Sequence, residues 1–229
     1  MLELLWLIGT FLFVLLVVVF ARKGGSSYLI GLYVAIMIIM NALGSKLITF
    51  FGFKANVGII LISAGFLVSD MLCEFFGKKE ASRAVWIGII GMCLFILTSA
   101  LAVHWIPTPA FKHQAAYALL FGMSIRLALA QIITNIIAQN HDVWAFYFWK
   151  RLTKGRHLWL RNNISTITSQ VFSTICFFTI AFYGVYDIVP IIYETILAKV
   201  LISFIDTPFM YLARYLYKKG INRTHASSF

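Results

Sequence analysis

Seven apolar runs, each long enough to cross a bilayer as a helix, constrain this chain more than any other feature of it. A helix through the hydrocarbon layer takes about 20 mostly apolar residues. The runs are Leu4–Ala21, Tyr28–Phe50, Ala55–Phe76, Ala84–Ile106, Ala116–Asn140, Leu158–Gly184 and Ile188–Tyr217. Hydrophobic residues make up 61% of the 229 positions, and the mean hydropathy is +0.90. A water-soluble domain of this size has too much surface to hide so many apolar side chains. The expectation is an all-α integral membrane protein, one membrane domain over residues 1–229. The last two runs exceed the bilayer and predict tilt or protruding ends. His141–Lys150 prolongs the fifth run with aromatic residues suited to the headgroup level. Glu3 and the Ala21-Arg22-Lys23 junction argue for a retained first span rather than a cleaved signal. The short loop Thr108–Ala115 reads as a lid or a plain turn.

The net charge of +11 fits nucleic acid poorly, because Lys and Arg fill the short connections between apolar runs. With the N-terminus outside, one side collects Arg22, Lys23, Lys78, Lys79, Arg83, Lys150, Arg151, Lys154, Arg156, Arg161, Arg214, Lys218, Lys219 and Arg223. The other side holds only Lys46, Lys54 and Lys112. The positive-inside bias then predicts an inner-membrane type of arrangement with the C-terminus in the cytoplasm. Cys73, Cys93 and Cys176 are isolated in apolar runs, so neither a disulfide nor a metal site is expected, and no cofactor motif is present.

Polar groups inside the runs carry the functional signal, since an ionisable side chain at mid-membrane costs about 2.5–3.5 kcal/mol on insertion scales. Asp70 and Glu74 share one face of the third span. They form a hydrogen-bonding or proton-coupling pair, or Glu74 simply meets Lys78 four residues on. In the fifth span Gln131, Asn135, Gln139 and Asp142 make a polar stripe, and Asn163, Thr166, Gln170 and Ser173 make another in the sixth. Asn41 and Ser45 form a shorter one. Arg126 and Glu194 fall at similar depth and have each other as a structural pairing. Lys199 lies near the midplane, seven residues before Asp206. Together these groups trace a polar route across the membrane, lined by amides and carboxyls and suited to a planar polar heterocycle. No ring of like charges suggests an ion channel, and no P-loop is present.

Several segments resemble the queuosine precursor transporter family, also called the vitamin uptake transporter family. They are Asn41-Ala-Leu-Gly-Ser-Lys46, the stretch Ser69-Asp70-Met-Leu-Cys-Glu74-Phe-Phe-Gly77-Lys-Lys-Glu-Ala81, Arg126 with Gln139-Asn-His-Asp142, Leu158-Trp-Leu-Arg161-Asn-Asn-Ile-Ser165-Thr166 with Ser169-Gln170, and Pro208 with Tyr211. The resemblance covers roughly residues 28–217. It implies import of 7-deazaguanine precursors, and a six-helix core similar to the substrate-binding components of energy-coupling-factor transporters, preceded by one extra N-terminal helix. It also implies binding positions at Asn41, Asp70, Glu74, Arg126, Gln139, Asp142, Arg161, Ser165 and Gln170. The polar stripes add Gln131, Asn135 and Lys199. The family pattern places an acidic residue where this chain has Ser173, which bears on substrate preference.

The expected partners are a deazapurine and the lipid bilayer, with a homo-oligomer left open. A subunit requiring an ATPase partner is the first competing reading, and Gly31xxxAla35 offers a small-residue face for docking a helix. An intramembrane enzyme built on Asp70 with Glu74, or His104 with His113, lacks any nucleophile motif. A purely structural membrane protein would have no use for the polar stripes.

Overall fold

The computed structural model describes residues 2–44, 46–122, 125–185 and 187–226. Helices dominate: α1 (Leu2–Gly24), α2 (Ser27–Leu43), α3 (Ile59–Phe75), α4 (Lys78–His104), α5 (Gln114–Phe121), α6 (Ile125–Leu152), α7 (Leu158–Phe182) and α8 (Ile188–Ala226). Among the described residues, five segments are long and apolar enough to cross a membrane: Leu2–Gly24, Lys78–His104, Gln114–Leu152, Leu158–Phe182 and Ile188–Lys219. The apolar helix α2 is shorter, at 17 residues.

Exposure is inverted relative to a water-soluble protein. Leu12 and Leu16 of α1, Ile90 and Leu94 of α4, Ile133 and Ile137 of α6 and Phe172 of α7 face outward. Asp70, Gln139, Asp142, Asn162, Gln170 and Asp206 face inward. A shell of that kind is stable only where the surroundings are apolar. Even α1, whose one polar residue away from its ends is Thr10, is sided. It buries Leu7, Phe11, Val14, Leu15, Val18 and Ala21, a helical stripe, and packs them against α2, α3 and α8.

At the centre stands α3, which packs against α1, α2, α4, α6, α7 and α8. It buries 14 of its 17 residues. Gly65 and Gly88 let neighbours approach. A Cβ on Gly65 would lie 3.0 Å from the Met37 side chain, and one on Gly88 only 2.6 Å from the Tyr33 ring.

The expectation of continuous helices over 28–50 and 55–76 is corrected. The second helix stops at Leu43, the third starts at Ile59, and an antiparallel hairpin of β1 (Leu47–Phe50) and β2 (Phe53–Asn56) lies between. The fold is helical apart from this two-stranded hairpin. The physical reason is local. Gly44, Gly52 and Gly58 punctuate a segment rich in aromatic and β-branched residues, which favour strand over helix. Phe51 and Gly52 take φ of 48° and 87°, the two left-handed positions of a tight hairpin turn. The register pairs Leu47 with Asn56 and Phe50 with Phe53. Ser45 lies outside the described residues.

The fifth span also differs from 116–140. It is interrupted after α5 and continues as α6 to Leu152, so the aromatic stretch is part of the same helix. The Thr108–Ala115 loop contains a turn closed by Phe111 N–H donating to Thr108 O at 3.0 Å. Helix α4 starts earlier than the sequence bound of 84 and stops at His104, α8 runs past 217 to Ala226, and α7 ends at Phe182.

The basic connections gather at one end of the bundle. Arg22 donates to Leu216 O at 3.4 Å, Ser26 to Glu80 at 2.7 Å, and Lys150 pairs with Glu74 at 3.0 Å. The hairpin occupies the opposite end, where the backbone N–H of Lys54 donates to Glu194 of α8 at 2.9 Å.

Candidate functional site: a polar core inside the bundle

Four helices bring polar side chains to one buried region. From α3 come Ser69 and Asp70, from α6 Gln139 and Asp142, from α7 Asn162, Ser165, Thr166 and Gln170, and from α8 Asp206. The spacing explains the convergence. Asn162, Ser165, Thr166 and Ser169 recur every three or four residues, so a single face of α7 meets α3, α6 and α8.

Ser69 Oγ donates to Asp142 Oδ2 at 2.9 Å, and Thr166 Oγ1 donates to Asp70 Oδ2 at 3.3 Å. Asn162 Nδ2 donates to Asp206 Oδ1 at 3.0 Å. Asp70, Asp142 and Asp206 are close enough to one another to interact electrostatically. A second polar seam joins α7 to α8, where Asn163 Nδ2 donates to Thr207 at 2.7 Å and Ser203 donates to Asn163 Oδ1 at 3.4 Å.

This network is half satisfied. Asp70 Oδ1, Asp142 Oδ1, Asp206 Oδ2, Asn162 Oδ1, Gln139 Oε1 and both amide atoms of Gln170 are buried without a hydrogen-bond partner. Buried polar groups are nearly always paired, because leaving one unmade costs about 1–3 kcal/mol. A concentration of unpaired groups on facing helices is what a polar solute or proton would satisfy.

Below it, toward the basic end, Glu74 is held by three cations from three helices. Arg161 of α7 lies at 2.7 Å, Lys150 of α6 at 3.0 Å and Arg214 of α8 at 3.4 Å. Lys78 is not among these partners, so the expected i, i+4 pairing is replaced by long-range ones. Arg161, fully buried, also donates to Gly155 O and Arg156 O at 3.0 and 3.1 Å and sits 5.4 Å from the Phe146 ring. Lys154, Gly155 and His157 all take positive φ, and this turn presents its carbonyls inward to the guanidinium.

Other expected residues stand apart. Arg126 does not pair with Glu194. It is exposed and donates to Ile180 O at 2.6 Å and Tyr183 O at 2.7 Å, completing the C-terminal end of α7. Glu194 serves the hairpin instead. Asn135 donates to Gln131 O on its own helix at 2.9 Å and touches Met92 Sδ at 3.6 Å, and both amides are half-buried. Asn41 donates to Met37 O at 2.6 Å, leaving its Oδ1 unpaired. Lys199 donates to Thr174 at 2.9 Å and Ser173 at 3.4 Å, so Ser173 supplies a hydroxyl to the ammonium.

Two residues of the core are less visible in the sequence. Asn162 sits beside the predicted stripe rather than on it, and Asp206 draws notice only as a neighbour of Lys199. Their pairing across α7 and α8 follows from helix packing, and the Asn-Asn repeat at 162–163 was the available signal. No group of His, Cys, Asp or Glu among the described residues is arranged to hold a metal ion.

A lipid-facing apolar shell around a polar, incompletely paired core defines a multi-pass membrane protein built to handle a polar solute. The chain belongs to the family described as "Putative vitamin uptake transporter", whose profile matches residues 56–213. It is 30% identical over 216 residues to the "Probable queuosine precursor transporter" of Bacillus subtilis (strain 168), covering 91% of this chain and 93% of that protein. The "Queuosine precursor transporter" of Escherichia coli (strain K12) is 28% identical over 140 residues, 59% of each chain. The corresponding Haemophilus influenzae protein, a "Probable queuosine precursor transporter", is 25% identical over 163 residues, 69% of this chain and 64% of its own. No solved structure matches the chain. The family and these relatives are transporters, and this chain is a transporter rather than an enzyme.

Proposed function

We propose that this chain imports the queuosine precursors 7-cyano-7-deazaguanine and 7-aminomethyl-7-deazaguanine across the bacterial inner membrane, with its C-terminus in the cytoplasm. The observation that carries the reading is the set of unpaired oxygens and amides on Asp70, Gln139, Asp142 and Gln170, buried on facing helices. A deazaguanine presents an amino group, a ring N–H and a carbonyl along one edge. A carboxylate accepts from both donors, and an amide side chain answers donor and acceptor alike. The relatives' names point to the same class of solute. Ser165 lies within this core and Arg161 braces it beside Glu74, while Asn41, Gln131, Asn135, Arg126 and Lys199 stand apart from it as candidates for contact elsewhere along the passage.

The test is binding and uptake of labelled precursor by the purified protein in liposomes. Saturable uptake blocked by unlabelled precursor is expected, with loss in Asp70→Asn and in Gln139→Ala. Normal transport by both variants places the site elsewhere.

A second reading, a substrate-binding subunit of energy-coupling-factor type working with an ATPase, draws on α2. Gly31 and Ala35 are exposed on its outer face, and a Cβ on Gly31 would meet nothing within 4 Å. Such a surface admits a close-packed partner helix. Binding without uptake in liposomes favours this reading.

A further inference from the structure

We propose that Asp70, Asp142 and Asp206 form a proton-carrying site, which makes this chain a proton-coupled importer in which a protonated carboxyl accompanies each substrate molecule. The inference deepens the functional reading above and rests on it for the identity of the substrate.

The three carboxyls come from three helices, and each is at most 1% exposed. Each has one oxygen bonded to a hydroxyl or amide donor and the other oxygen unpaired. The groups facing them compensate the negative charge only in part. From α2 there is the Tyr33 hydroxyl, from α3 the Cys73 thiol, and from α7 the Arg161 guanidinium, whose hydrogen bonds go to Glu74 and to two backbone carbonyls. Three adjacent carboxylates screened from water repel one another, so protons are shared among them. An O–H on Asp70 or Asp142 donates to the unpaired oxygen of the other, which answers two of the orphan atoms at once. Gln139 and Asn162 add unpaired carbonyl oxygens to the same region, which can also receive an O–H.

The substrate edge supplies the coupling. Its two donors need one carboxylate, and its carbonyl needs a donor, which a protonated carboxyl provides. Substrate and proton therefore bind together. On release to the cytoplasmic side the carboxyl gives up H+, becomes a carboxylate and returns to be reprotonated outside. No bond other than O–H is made or broken.

The decisive experiment uses the full chain in proteoliposomes with labelled 7-cyano-7-deazaguanine and a trapped pH-sensitive dye. Exchange of label at equal pH on both sides reads the substrate assignment alone. An acid-outside gradient then reads the coupling: accumulation up to about tenfold per pH unit is expected for one proton per neutral molecule, with acidification of the lumen and collapse by a protonophore. Exchange that proceeds while the gradient leaves the level unchanged, or an alkaline-outside gradient that drives uptake, overturns the coupling and leaves the substrate assignment standing. Absence of exchange sinks the substrate assignment, and the proton site is then decided on the purified protein by infrared difference spectroscopy. Loss of a protonated-carboxyl C=O band at neutral pH in Asp142→Asn or Asp206→Asn sustains it. An unchanged band in both overturns it.

Discussion

Glu74 illustrates how one residue can be read as functional from sequence and still owe its position to pairing. Its carboxylate is 8% exposed and neutralised by Arg161, Lys150 and Arg214. Removing one member of a buried ionic cluster leaves the rest uncompensated, at a cost of about 3–5 kcal/mol. Partial exposure of Lys150 and Arg214, at 26% and 31%, softens that for Glu74→Gln, and the low end is expected. Thermal unfolding in detergent should show a clear fall for Glu74→Gln and a smaller one for Glu74→Asp. An unchanged midpoint would mean the cluster contributes nothing. Asp70 and Asp142 were legible for a different reason: a carboxylate inside an apolar run has no cheap explanation. Asp206 was not ranked with them, because the partner that gives it meaning, Asn162, lies on another helix.

At the scale of elements, hydropathy marked apolar runs that contain five helices of membrane-spanning length among the described residues, but it misjudged the bounds of the second and third runs. A window average counts apolar residues without regard to their period, so Leu47–Phe50 and the end of the second strand, Ala55–Asn56, pass as helix although they pair as strands. The turn that separates them is where the hairpin is most sensitive. Gly52 takes φ of 87° with no neighbour within 4 Å of a built Cβ, so any cost of substitution is conformational rather than steric. Gly52→Val should destabilise by about 1–2 kcal/mol while Gly52→Asn is nearly neutral. Equal unfolding midpoints for the two variants would contradict the left-handed turn. The polar stripe of α7 was readable as a period of three and four, and its division of labour was not. Thr166 addresses α3, Asn163 addresses α8, and Ser173 with Thr174 serves Lys199.

For the whole molecule, the gathering of Arg22, Lys150, Arg161 and Arg214 at one end gives the bundle an electrical polarity, and the proposed orientation puts that end in the cytoplasm. Single cysteines introduced at Arg156 and at Lys112 should therefore react with an impermeant thiol reagent from opposite sides of the membrane, Lys112 from outside. Labelling of both from the same side would refute the topology. The hairpin carries a further consequence for the membrane around it. A 17-residue helix rises about 26 Å, short of the roughly 30 Å hydrocarbon layer. Next to α2 and the hairpin end, lipid must thin, or strand backbone must meet acyl chains, where an unpaired N–H or C=O has no partner. Uptake is therefore expected to fall as the acyl chains of the host bilayer lengthen, which a liposome series of increasing chain length would read.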